Sequence, residues 1–329
     1  MRMMPRLVAA LIGLISAVAT TIPVGAQSYP SRPITIIVTA PAGGVTDVVA
    51  RAFAQKMAED WNQQVIVENK GGSAHVAGLS TVARAAPDGH TLMVAEAGAF
   101  AINPLIFPKG RLPYDEKTDF APITGLVRIN QALLASKSLP VDNAAELIAL
   151  AKQKPGALNF GTAGIGSALH MNIELFKTMA GVNLTPVHYR GATPALNDLI
   201  AGHVDVMSVS VSLAVGPWQA GQIKILGIGS EKRLNRLPDV PTVAETGLPG
   251  YEAVTWFGLF APAGTPREVV MKVNAEARKV FSEPAFDEKF MAPQMFQSLV
   301  MPPEDFDAFI KAEIKKWSTV IQAAKIKIE

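Results

Sequence analysis

The 329-residue chain has no cysteine. That excludes disulfides, thiol nucleophiles and cysteine-built metal sites, and also a lipid carried on a cysteine behind an export signal. Stability is expected to come from the core alone. Histidine is scarce as well. His75, His90, His170, His188 and His203 show no HExxH or comparable ligand spacing. No GxSxG elbow is present, and Ser167 lies three residues from His170 on one predicted helix, a poor arrangement for a catalytic triad. A secreted hydrolase using that pair is the weakest reading; no metal, no cofactor and no enzymatic activity are expected.

Long apolar runs are missing from all but the first residues. There, Arg2 and Arg6 flank "LVAALIGLISAVATTI", followed by "VGAQ" with Val24 and Ala26 as small residues before a cut. This reads as a secretory signal peptide over residues 1–26, cleaved after Ala26 and too short to be a spanning helix. Without its two arginines the chain carries 28 basic and 28 acidic side chains. A balance of zero argues against nucleic acid, which needs a basic excess. The exported protein is expected to be soluble, monomeric and free in a bacterial periplasm.

What the chain does have is 49% hydrophobic and 18% charged residues, a composition that builds cores and argues against disorder. Roughly 300 residues after export are long for one core, which suggests two domains. Strand-like and helix-like segments alternate: "ITIIVT", a helix over roughly 47–62, "QVIVEN", "HVAGLSTVARA", "TLMVAE", then "AAELIALAKQK", "LNFGTA", "ALHMNIELFKTMAG" and onward. The pattern is that of an α/β protein with helices covering parallel strands. Two extended stretches without helical period, "FAPITGLVRINQALLAS" and "AVTWFGLFAPAGTP", read as crossings between domains. They predict a first domain over 27–125 that is completed by 254–329, a second domain over 126–253, and a ligand cleft between them.

Three strand-to-helix junctions are the candidate binding loops, because such loops aim helix N-termini and free N–H groups at a cleft. The first is "PAGGVTD": Ala42, Gly43, Gly44 and Val45 supply backbone donors, while Thr46 and Asp47 can cap the helix or meet a ligand hydroxyl or amine. The second is "NFGTAGIGSALH", with Thr162, Gly164, Gly166 and Ser167, the last placed as an N-cap, and His170 one turn into the helix. Two facing helix N-termini suit a ligand with a carboxylate, or one at each end. The third is "YRGATPAL", where the backbone of Gly191 and Ala192 is the better contact and Arg190 could pair a carboxylate. Glu96, with Ala97 behind it, ends the strand "TLMVAE" and faces the cleft or a neighbouring base.

The segments "YPSRPITIIVTAPAGGVTD", "PDGHTLMVA", "AINPLIF", "PYDEKTDFAPIT", "NFGTAGIGSALH", "YRGATPAL" and "KRLNRLPDVPTVAETGLPGYEAVTWFGLFAPAGTP" run through nearly the whole exported chain. In them the sequence resembles the Bug family, the extracytoplasmic solute receptors of tripartite tricarboxylate transporters. The resemblance implies a type II periplasmic binding-protein fold whose two α/β domains, joined by two crossing strands, close on a small organic acid. It also implies delivery to large and small membrane subunits, with the acid's carboxylate held by backbone and water between Ala42–Asp47 and Gly161–Ser167. The sequence departs from the family at Glu96 and in "VMSVSVS", where Ser208, Val209 and Ser210 make a smaller, less charged wall. With Phe100 nearby, those departures make an aromatic monocarboxylate or an amine-bearing acid plausible beside a dicarboxylate or amino acid. A receptor that reports the same acid to a sensor kinase is the alternative.

Overall fold

The computed structural model describes residues 29–71, 75–108 and 110–326; the predicted signal peptide lies outside the described residues. A short N-terminal unit ends at Ser31, and the compact unit Arg32–Glu329 carries the fold.

The fold begins with β1 (Ile34–Val38), a β-branched run suited to a strand covered on both faces. It pairs in parallel with β2 (Val65–Asn69) and β3 (Thr91–Glu96). Between β1 and β2 runs α1 (Val45–Trp61), whose Val49, Phe53 and Met57 recur every fourth residue and point inward. Each of the large pair, Phe53 and Met57, is fully buried and contributes about 1.5–3 kcal/mol. Helix α2 (Val76–Ala83) links β2 to β3.

The chain then enters a 17-residue strand, β4 (Phe120–Ser136). Its first part pairs antiparallel with β9 (Val254–Pro262), from Phe120 opposite Pro262 to Asn130 opposite Val254. From Gln131 it changes partner and pairs β7 (Val206–Ser210) and β8 (Ile223–Ile228). The second lobe adds α4 (Ala144–Gln153), β5 (Asn159–Thr162), α5 (Ala168–Ala180), β6 (Thr185–His188), α6 (Ala192–Ala201) and α7 (Val211–Gln219). The strand order is β2-β1-β3-β9-β4-β7-β5-β6, so β4 is shared by both halves. At the change of partner a second segment runs alongside it. The N–H of Gln131 donates to the carbonyl of Ala253 at 3.2 Å, and that of Ala253 to Gly229 at 2.8 Å. Both extended stretches expected as crossings thus lie together where the lobes join.

The return to the first lobe is made by β9, α8 (Arg267–Phe281), the short α9 (Pro284–Phe286), β10 (Phe296–Ser298), which pairs β4, and α10 (Pro303–Ala324). Buried Phe306, Ile310, Glu313, Trp317, Val320 and Ile321 form one stripe along α10. That stripe covers β4 and the turn after β3, and it also reaches α5 of the second lobe. The last of the C-terminal helices thus packs on elements of both halves.

Candidate functional site

A cavity of about 390 Å³ opens where β3, the N-terminus of α5, the start of β9 and α10 converge. Its first-lobe wall is the carboxyl end of β3, Glu96 to Gly98, followed by a π-helical turn over Gly98–Ile102 and the short α3 (Asn103–Ile106). The second-lobe wall is Ile165 to Ala168 with Asn172 one turn further along α5. Val254, Thr255 and Trp317 close the join. The two walls touch. A Cβ on Gly166 would lie 2.8 Å from Cδ1 of Ile106, and Gly166 has φ 75°, so close approach and backbone both call for glycine.

The loop before α5 is folded by its own hydroxyls. Thr162 Oγ1 donates to the carbonyl of Gly164 at 2.9 Å and accepts from its N–H at 3.0 Å. Ser167 Oγ donates to the same carbonyl at 2.8 Å and accepts from the N–H of His170 at 3.3 Å, so Ser167 is the N-cap. His170 Nδ1 accepts from the N–H of Gly166 at 3.2 Å. Burial, with the neighbouring His188 and Lys177, pushes its pKa down to about 4, so the ring is neutral and free to accept. These bonds hold the first turn of α5 open toward the cavity. Ala168 and Leu169, as its first residues, have no carbonyl four residues back within the helix, and their N–H groups carry the positive end of its dipole.

Glu96 is half-buried, and its Oε1 lies 3.0 Å from Nε2 of His75. The other ring nitrogen, Nδ1, is 2.9 Å from the carbonyl oxygen of Thr39. A carbonyl only accepts, so Nδ1 carries a proton, and the carboxylate at Nε2 favours a second. Burial pushes the imidazole's pKa down, but the Glu96 bond and charge, with the Thr39 bond, carry it net above the ordinary value. The residue that follows β1 is thereby tied to the end of β3 through His75, in the cavity wall.

Of the residues singled out in the sequence, the cavity brings together Glu96, Ala97, Gly166 and Ser167. Thr162, Gly164 and His170 stand behind them as supports, and Ser208, buried, accepts from Asn172 Nδ2 at 3.3 Å. The rest are placed elsewhere. Ala42 to Val45 are exposed, with Gly44 as the N-cap of α1 and Thr46 buried. Asp47 is saturated: Oδ2 accepts from the N–H of Gly43 at 2.9 Å, and Oδ1 accepts from Asn69 and pairs with Arg51, each at 2.9 Å. Its buried carboxylate would titrate high, but those bonds hold it below its usual range. Arg190 is exposed, and Gly191 and Ala192 begin α6 away from the cavity. Ser210 begins α7. Val209 points to the opposite face of β7, into the core with Met207 and Ala132. Phe100 is turned back by the π-helical turn and stacks on Phe260, centroids 4.0 Å apart, so it offers the cavity no ring. His75, Asn103, Asn172, Thr255 and Trp317 line the cavity without having been marked in the sequence.

Two lobes joined by shared extended strands, with a cavity of mixed apolar and polar lining and a helix N-terminus between them, define a solute receptor of the type II periplasmic binding-protein fold. Residues 49–326 match the model of the tripartite tricarboxylate transporter family receptor, and the chain belongs to that family. It is a receptor family, not a family of enzymes. BugT of Bordetella pertussis is 32% identical over 327 residues, covering 99% of each chain. Among solved structures, R. palustris Rpa4515 with adipate is 34% identical, with a TM-score of 0.77 over 91% of this chain and 99% of that one. MatC from Rhodopseudomonas palustris with bound malate is 34% identical, with a TM-score of 0.71 over 89% of this chain and all of that one.

Proposed function

We propose that this protein is exported, with residues 1–26 removed, and that in the periplasm it captures a small organic acid between its lobes and delivers it to the membrane subunits of a tripartite transporter. The observation that carries the reading is the first turn of α5, capped by Ser167 and opening into a cavity whose far wall belongs to the other lobe. A carboxylate seated beside Ser167 on the first turn of α5 meets the dipole and the N–H groups of Ala168 and Leu169, which have no acceptor within the helix. Contact with the first lobe at the same time biases the molecule toward its closed form. In this reading the working lobes are 27–125 with 254–329, and 126–253. The exposed residues Ala42–Val45 and the half-buried Gly191, outside the cavity in this structure, would reach the ligand or its water only as the cleft shuts further. The adipate and malate of the two related structures agree with an organic acid here.

The test is a thermal-shift screen of refolded, ligand-stripped protein against dicarboxylates, tricarboxylates, aromatic monocarboxylates and amino acids. An acid at a hundred times its Kd should stabilise by about 2.7 kcal/mol, a rise of roughly 5 °C. Absence of any shift across these acids, with none released on denaturing the native preparation, would end the reading.

A further inference from the structure

The charges of the cavity are arranged asymmetrically. Among the described residues that line it there is no lysine or arginine; the charged groups are Glu96 and His75. Both imidazole nitrogens are engaged, Nδ1 with the carbonyl of Thr39 and Nε2 with Oε1 of Glu96, so the histidine has no donor left for a ligand. Glu96 has an oxygen left. Its side chain is 31% exposed, and among the described residues its Oε2 has no partner. A second acceptor lies beside the cavity at the join of the lobes. Gln131 is 4% exposed and donates through Nε2 to Thr255, which lines the cavity, at 3.4 Å, while its buried Oε1 has no hydrogen-bond partner among the described residues. The α5 end therefore presents donors, and on the other wall Glu96 presents an acceptor.

We propose that the cavity selects an acid carrying a hydrogen-bond donor, an ammonium or a hydroxyl, at the end opposite its carboxylate, and that Glu96 is the specificity-determining residue. This rests on the reading of the α5 N-terminus as the carboxylate seat. A dicarboxylate seated there points its second carboxylate at Glu96, with no free cation between the two, and like charges in a partly desolvated wall oppose binding. An ammonium or hydroxyl in the same place donates to Glu96 Oε2, and the bond to a charged acceptor is the stronger kind. His75 tempers the preference, because its ring nitrogen already occupies Oε1 of Glu96.

Calorimetric titration of refolded protein with two matched series tests this: adipate, 6-aminohexanoate, 6-hydroxyhexanoate and hexanoate, and succinate, 4-aminobutyrate, 4-hydroxybutyrate and butyrate. In the series that fits, the amino or hydroxy acid should bind at least tenfold more tightly than the diacid. Glu96→Gln should erase that margin by favouring the diacid. His75→Gln, which takes the imidazole away from Oε1 of Glu96, should widen the margin for the amino acid, a change of opposite sign that general damage to the fold cannot mimic. A diacid preferred by the wild type, in an order unchanged in Glu96→Gln, overturns the selectivity and leaves the acid receptor standing. A folded wild type that binds no member of either series overturns the carboxylate seat and the selectivity together.

Discussion

At the scale of single residues, the two histidines near the cavity have their pKa values pushed in opposite directions by their surroundings. Burial next to His188 and Lys177 depresses His170 to about 4, whereas Glu96 and the Thr39 carbonyl outweigh burial and raise His75. The signs follow from linkage. His170, depressed, withdraws stability as pH falls from about 6.5 toward about 4, because the unfolded chain takes up a proton that the folded one resists. His75, raised above 6.5, contributes fully below that value and loses its contribution as pH rises through the folded pKa. Imidazole proton resonances followed by NMR, assigned with His75→Gln and His170→Gln, should titrate on either side of 6.5; two midpoints together at that value would refute both environments. The sequence made part of this legible. Ser167 could be recognised as a cap because a hydroxyl stands between flexible glycines and an apolar helical run. Glu96 could be placed because a strand end faces a cleft. His75 could not, since its partners at 39 and 96 are fixed only when β1 and β3 lie side by side. Asp47 left both roles open, and in this fold it ties together Gly43, Asn69 and Arg51.

At the scale of elements, β4 was the plainest signal, since 17 extended residues without helical period exceed the length of an ordinary strand and so imply two sets of partners. The π-helical turn over Gly98–Ile102 gave no such sign; it redirects Phe100 from the cavity to Phe260, an outcome of tertiary packing rather than local propensity. The reach of α10 was also hidden, because one amphipathic stripe does not say how many elements it covers. Its stripe includes a buried acid. Glu313 Oε2 accepts from the indole N–H of Trp256 on β9 at 3.1 Å and of Trp317 on α10 at 3.2 Å, and Oε1 pairs with Lys316. One carboxylate therefore fastens the C-terminal helix to a crossing strand beside the cavity. Glu313→Ala leaves two indoles and a lysine without that acceptor, and a buried donor left unsatisfied costs about 1–3 kcal/mol. The expected result is a fall of several degrees in Tm with altered tryptophan fluorescence, the signal of Trp256, which is fully buried, moving with it. An unchanged Tm and spectrum would mean that the helix is held by its apolar stripe alone.

At the scale of the whole molecule, the alternation of strands and helices and the two extended stretches were enough to foresee two lobes around a cleft. Which loops meet across it was not foreseeable, since that depends on how far the lobes turn about the strands they share. The structure brings Ile106 close against Gly166. Gly166 serves closure twice: its positive φ shapes the loop before α5, and its lack of a side chain lets the other wall approach. Alanine there carries a left-handed backbone penalty of about 1–2 kcal/mol, and its methyl also displaces Ile106. The methyl clash can be relieved by trimming Ile106, but the backbone strain cannot. Gly166→Ala is therefore expected to weaken acid binding about tenfold or more and to reduce the compaction that small-angle scattering detects on adding a bound acid. The double variant Gly166→Ala with Ile106→Ala should recover only part of both losses. Complete recovery would assign the whole effect to the contact between the walls. No loss in the single variant would mean that the lobes close without bringing Ile106 onto Gly166, and the cavity would then have to be sought at a wider setting of the hinge.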